Sequence, residues 1–168
     1  MELPDVDALI TFHDAQLGNA AGQITLPATD ELMDAIADNH RCNLLLWRTE
    51  DEARRSDVPA DEIVRSKRNI DRYNQQRNDA VERIDDALLA LLARVSQASG
   101  TMRQPDARQH SETAGAMIDR LSILSLKIFH MRLQTRRTDV DAAHRAECSA
   151  KLHRLLHQRD DLRSCLTR

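Results

Sequence analysis

Apolar residues recur at three- and four-residue spacing along most of the chain, and no strand-length stretch alternates apolar with polar. That period predicts about five helices and no sheet. The first is expected over residues 4–19, with Val6, Leu9, Ile10, His13 and Leu17 on one stripe. His13 reads as a packed core histidine, the commoner fate of such a residue. Residues 22–29 read as a loop, with Pro27 inside it and a helix-start signal at Thr29 or Asp30. The second helix carries Met33, Ile36 and Leu44 and runs to Arg54. A turn over residues 56–60, holding Pro59, leads into a long third helix that Gly100 stops. Residues 100–110, with Pro105, form the longest polar break.

From Ser111 the chain is apolar on nearly every side, through Met117, Ile118, Leu121, Ile123, Leu124, Leu126, Ile128 and Phe129. All-round apolarity marks a central, buried helix. Glu112, Asp119, Ser122 and His130 nevertheless line one face of it, and a buried Asp119 needs partners. The last helix is expected from about Asp139, with Cys148, Leu152, Leu155, Leu162 and Leu166 inward. The expected fold is an all-α antiparallel bundle of about five helices, one long and one central and apolar. It forms a single domain over residues 1–168.

Inside this pattern one polar line stands out. At 100° per residue, Lys67, Asp71, Asn74, Asn78, Glu82 and Asp85 share a face of the long helix that continues into Leu88, Leu89 and Leu92. Leucines so spaced read as core, so the polar residues are expected to extend the core line, flanked by Ile70, Val81 and Ile84. On the second helix His40, Asn43, Trp47, Glu50, Asp51 and Arg54 lie along or beside the apolar stripe. Two helices joined by a short turn pack antiparallel, so the two polar stretches should meet beside the turn. Asp71, Asn78 and Asp119 are expected to be mostly buried, in one cluster with Glu50 or Asp51.

Composition narrows the function classes. Only 4 Gly and 4 Pro in 168 residues favour helices. A net charge of −3 with no single-sign block gives no nucleic-acid footprint, and 2% aromatic content leaves no stacking platforms. No uncharged run approaches the ~18–20 residues that cross a bilayer. Met1 is followed by Glu2, Pro4 and Asp5, not by a basic and then apolar leader. Cys42, Cys148 and Cys165 lack disulfide or metal spacing, so reduced thiols in the cytoplasm are expected. His144 with Cys148, and His153 with His157, have chelating i, i+4 spacing but no third ligand, and read as surface pairs.

The polar residues suit two kinds of chemistry. Glu50, Asp51 and His130 are the candidates for acid–base work. Glu50, Asp51 and Asp71, with Asp119, are hard oxygen donors able to take a Mg²⁺ brought in on a substrate phosphate. Arg54, Lys67, Arg77 and Arg120 would hold that phosphate, and Trp47 would stack on a base or sugar ring. The competing reading is a buried ion-pair and amide network that fixes helix register, with no ligand. Whether the chain is an enzyme stays open at this point. Glu50, Asp51 and the Glu82-x-x-Asp85 pair also resemble the acidic helices of Mg-dependent all-helical nucleotide pyrophosphohydrolases, though spaced acids are common on helices.

The blocks LLLWRTEDEAR, SKRNIDRYNQQRNDAVERID, SETAGAMIDRLSILSLKIFHM and HQRDDL resemble domain-of-unknown-function family 4254, over about residues 40–162. Residues matching its pattern are Trp47, Glu50, Asp51, Arg54, Lys67, Asp71, Asn74, Gln75, Arg77, Asn78, Asp79, Glu82, Asp85, Asp119, Arg120, Lys127, His130 and Gln158. Through that match Lys127 joins the ligand candidates, while Arg48 stands where the family often has histidine. The resemblance implies a helical bacterial protein, often encoded beside glycosyltransferases in surface-polysaccharide clusters. A sugar- or nucleotide-sugar-like ligand follows as the expectation. The alternative is a non-catalytic bundle that assembles with itself or with a glycosyltransferase.

One prediction rests on charge alone. The protein should show no micromolar affinity for DNA or RNA at physiological salt; binding that collapses as salt rises would contradict it.

Overall fold

The computed structural model describes residues 5–17, 31–100 and 109–167. The described residues form an all-α fold of five helices: α1 (Val6–Gln16), α2 (Glu31–Ala53), α3 (Ala60–Ser99), α4 (Ala114–Thr135) and α5 (Ala142–Leu166). The loop expected over residues 22–29, the helix-start signal before α2 and most of the polar break around Pro105 lie outside the described residues. None of the described helices is long and apolar enough to cross a membrane. The chain forms two compact units: one holds the described residues 31–119, the other residues 5–17 and 120–167.

The first unit is built on α2 and α3. Backbone i→i−3 bonds from Arg54 to Asp51 and from Arg55 to Glu52 tighten the end of α2. Pro59, at φ −58° and ψ 149°, then N-caps α3. A proline there sacrifices no helical hydrogen bond, and Asp61 and Glu62 in the first turn suit the positive end of the helix dipole. Asp38 of α2 meets Arg83 of α3 at 2.7 Å, and the short connection lies at the other end of the pair, so the two helices run antiparallel. Burial works to raise the Asp38 carboxyl, but hydrogen bonds from Arg83 and Arg41 hold it below its ordinary value.

Leu32, Ala35, Ile36, Cys42 and Leu46 supply the core face of α2. On α3 the core line is Ser66, Ile70, Ala80, Ile84, Leu88 and Leu91, with Tyr73 and Arg77 half-buried along it. This corrects the expected phase of α3. Lys67, Asp71, Asn78 and Glu82 are exposed, and Leu89 and Leu92 are 64% and 49% exposed. The polar line is therefore a shoulder beside the core, about one residue out of register with it. Gly100, at φ 63°, closes α3 in the left-handed conformation that glycine adopts without strain.

In the second unit α1 and α5 run antiparallel. Arg159 donates to both carboxylate oxygens of Asp14, at 3.1 and 3.0 Å, and Arg163 pairs with Asp7 at 3.1 Å. His13, Val6 and Leu9 are buried on α1, and Cys148 and Leu162 on α5, as the stripes predict. Asp141 N-caps α5 by accepting from the backbone N–H of His144 at 2.7 Å. α4 passes from one unit into the other. It buries Met117, Ile118, Leu121, Ser122, Leu124, Ser125, Leu126 and Ile128, which point around most of its circumference.

The first turn of α4 sits hard against α3. A Cβ on Gly115 would lie 2.7 Å from the Val81 carbonyl oxygen and 2.8 Å from Asp85 Oδ1. The carbonyl belongs to a helix interior and has no room to retreat. Gly115→Ala should therefore destabilise the protein by ~1–3 kcal/mol, the usual range for overpacking. Urea denaturation checks it, and an unchanged midpoint would contradict the close approach.

Candidate functional site

Two polar anchors fix α4 to the α2–α3 hairpin. Asp85 Oδ1 accepts the backbone N–H of Gly115 at 2.7 Å, satisfying a donor at a helix start that has no partner inside its own helix. Thr113 Oγ1 accepts a second, from Ala116, at 3.2 Å. One helical turn on, Asp119 Oδ1 accepts from both Asn39 Nδ2 and Asn43 Nδ2, each at 2.8 Å. Asn39 is fully buried and Asn43 nearly so. Buried amides must be hydrogen-bonded, and Asp119 is the acceptor that makes their position tolerable.

These contacts show which side of the hairpin α4 covers. On α3 that side is marked by Val81 and Asp85, and helical spacing carries it towards the turn through Asn78, Asn74, Asp71 and Lys67. On α2 it is marked by Asn39 and Asn43, and it continues through Trp47, Glu50 and Arg54. The two antiparallel helices thus present one shared polar side, running from the Asp119 anchor to the connection at residues 54–59. Trp47, Glu50 and Asn74 are half-buried there, and Arg54, Lys67, Asp71 and Asn78 are exposed.

The expected buried cluster of Asp71, Asn78 and Asp119 with Glu50 or Asp51 does not form. Asp71 and Asn78 stand in solvent because the core line of α3 passes one residue away from them. Asp119 is half-buried, with its Oδ1 taken by the two asparagines. Asp51 is exposed and pairs with Arg54 at 3.2 Å, while Glu50 reaches the same guanidinium at 3.8 Å. Glu82 is exposed and Asp85 half-buried. Arg77 lies in the core line, where its Nη2 donates to Asn78 at 3.3 Å. The Arg77 Nε is buried without a hydrogen-bond partner among the described residues. Gln75 donates to Asp79 at 2.7 Å on the outer face.

Arg120, Lys127 and His130 belong to the second unit. Arg120 and Lys127 are exposed, and His130 is half-buried with its ring edge-on to Phe129 at 5.3 Å. Among the described residues no three His, Cys, Asp or Glu side chains stand together in a way that would hold a metal ion. Glu50 and Asp51 are held by Arg54 and Asp71 stands exposed on α3, so the three carboxylates form no preassembled metal cage among the described residues. His144 Nε2 lies 3.5 Å from the buried Cys148 thiol, a contact made within one helix turn.

Two features escaped the sequence. The amide pair Asn39 and Asn43 has i, i+4 spacing on an apolar face, which was the available signal for an acceptor opposite. At the connection a groove of about 270 Å³ is lined by Glu52, Arg55, Glu62, Arg65, Ser66 and Asn69. Arg55 is held there in a two-point pair with Asp57, at 3.1 and 3.0 Å. Glu52, Arg55 and Arg65 of the groove sit one or two positions from the candidates read in the sequence, and Glu62 stands apart from them in the first turn of α3.

Removing the anchor strands two buried amides. Asp119→Ala should cost ~1–3 kcal/mol for each unsatisfied group. Asp119→Asn keeps an acceptor oxygen and should retain most of the stability. Chemical denaturation of both variants decides it, and an Asp119→Ala midpoint equal to wild type would contradict the anchoring role.

No curated protein and no solved structure matches the chain. A family model does match, over residues 33–168, which takes in α2 from its third residue, α3 and α4, α5 and every residue of the polar face. The chain belongs to that family, described as protein of unknown function (DUF4254).

Proposed function

We propose that the polar side of the α2–α3 hairpin binds a small phosphorylated or sugar-linked ligand, and that the protein serves bacterial cell-surface glycan synthesis. One observation supports this most. Trp47 and Glu50 of α2, with Arg54 just past its end, share a side with Lys67, Asp71, Asn74 and Asn78 of α3, and solvent reaches all seven. A structural network would have consumed these groups inside the core, as Asp119 consumes Asn39 and Asn43.

The chemistry follows from the residue types. Arg54 and Lys67 supply charge for a phosphate. The ion pairs of Arg54 are exposed, and such pairs contribute ~0–1 kcal/mol, so an anionic ligand can displace them. Trp47 offers an apolar ring face with one polar edge, suited to a sugar or a base. Asn74, Asn78 and Asp71 provide donors and acceptors for hydroxyl groups. The reading is one of binding, and it assigns no reaction. The glycan context comes from the family resemblance, and a glycosyltransferase is the partner it would imply. The pyrophosphohydrolase alternative needs converging acids, which the hairpin does not bring together among the described residues.

Trp47 is the single tryptophan of the chain, so its fluorescence reports on this face alone. A nucleotide-diphosphate sugar, titrated into the protein, should change that emission saturably below ~1 mM, the range in which such ligands are commonly recognised. Lys67→Ala and Asp71→Asn should each weaken the response about tenfold. Their stability should stay within ~0.5 kcal/mol of wild type, as for other exposed positions. An emission indifferent to nucleotide sugars and to simple sugar phosphates alike would contradict the proposal. So would a response that neither variant alters.

A further inference from the structure

The groove at the α2–α3 connection stands apart from the polar face. Glu62, Arg65, Ser66 and Asn69 follow one another at i, i+3, i+4 and i+7 on α3, so they share one side of that helix. Arg65 lies two positions from Lys67, and Asn69 two positions from Asp71. At ~100° per residue each of those pairs is about 160° apart round the helix. The groove therefore flanks the core line of α3 on the side away from Lys67 and Asp71.

Its charged residues leave one thing undone. Glu52 with Arg55, and Glu62 with Arg65, have the spacing acid-x-x-arginine. The same spacing closes ion pairs elsewhere in the hairpin, Asp38 with Arg41 at 3.0 Å and Asp51 with Arg54 at 3.2 Å. In the groove neither pair closes, and among the described residues neither glutamate is ion-paired to an arginine. Asp57 holds Arg55 through Nε and Nη2, which leaves the Nη1 hydrogens for another acceptor. Ser66 is buried and Asn69 half-buried, while all four charged residues are exposed around them.

We propose that this groove binds a small zwitterion, a molecule of amino-acid size that carries an ammonium group and a carboxylate or phosphate. The two arginines and two glutamates of its lining sum to zero charge. A ligand of one sign gains from one pair about what it loses to the other, whereas a ligand of both signs is attracted by all four. Arg55 and Arg65 take the anionic group, and Glu52 and Glu62 accept the N–H groups of the ammonium. Asn69 and Ser66 supply hydrogen bonds between them. Val58 is the only apolar residue of the lining, so a lipid chain or aromatic ring would find little to cover. The volume of about 270 Å³ fits the same size of ligand. It is room for about nine waters at ~30 Å³ each, and falls below the ~300–1,000 Å³ of drug-sized sites.

The side-chain amide of Asn69 reports on this groove in ¹H–¹⁵N spectra of the full chain. Two probes share a two-carbon spacer and differ in the acid: β-alanine and phosphoethanolamine. Their single-charge counterparts are acetate, inorganic phosphate and ethylamine. At least one zwitterion should shift the Asn69 amide saturably at about millimolar concentration, as for a ligand of few atoms held by exposed charges. The tighter of the two identifies the acid as carboxylate or phosphate. Each single-charge counterpart should bind about tenfold more weakly or not at all. Arg65→Gln and Glu62→Gln change exposed side chains, should melt as wild type does, and should each weaken the zwitterion about tenfold. An Asn69 amide unmoved by both zwitterions would overturn the proposal. So would a single-charge counterpart that binds as tightly as the zwitterion, or a response that either variant leaves unchanged.

Discussion

The carboxylate of Asp119 is the point on which the described architecture of the first unit turns. Its Oδ1 takes hydrogen bonds from two buried asparagines of α2, and one helical turn earlier Asp85 of α3 takes the N–H of Gly115. Neither arrangement adds much net stability over hydration, because folding only exchanges one set of hydrogen bonds for another. Their force lies in the penalty for the alternatives. Rotating or sliding α4 by one residue would leave amides dry and unpaired, or drive a side chain into the Val81 carbonyl. Hydrophobic contact alone tolerates such slips, since Met117, Ile118 and Leu121 would be about as apolar in a neighbouring register. Polar anchoring selects one.

That choice has a consequence for the rest of the hairpin. α4 covers the shared side of α2 and α3 near Asn39, Asn43 and Asp85, and the remainder of this side, towards the connection, carries Trp47, Glu50, Arg54, Lys67, Asp71 and Asn74. One polar line along two helices is thereby divided by use. Its inner part is spent on holding a helix, and its outer part keeps charges, amides and an indole accessible. Exposed ion pairs such as Arg54 with Asp51 bind those groups only loosely.

The helix ends were legible because their signals are local. Pro59 before α3 and Gly100 after it depend on backbone geometry that a few residues dictate. The rotational phase of α3 was not. Its core line includes Ser66, Arg77 and Ala80, which carry little hydrophobic signal, while Leu89 and Leu92 face outward and carry a strong one. A run such as Leu88 to Leu92 is apolar on two faces, and periodicity cannot choose between them. The error of about one residue placed Asp71 and Asn78 inside when they lie on the shoulder. It left their shared side intact, which is why the polar face survives as a candidate site while the buried cluster does not. Asn39 was legible in principle, since two asparagines at i, i+4 on a core face call for an acceptor.

The division of the polar line is open to direct observation through its side-chain amides. In ¹H–¹⁵N spectra the Nδ2 groups of Asn39 and Asn43, held by Asp119, should be unmoved by a nucleotide-diphosphate sugar, while those of Asn74 and Asn78 shift and saturate together. Saturable shifts confined to Asn74 and Asn78 would establish one face with two uses. Shifts at Asn39 and Asn43 with none at Asn74 and Asn78, or no shift at any of the four, would contradict it.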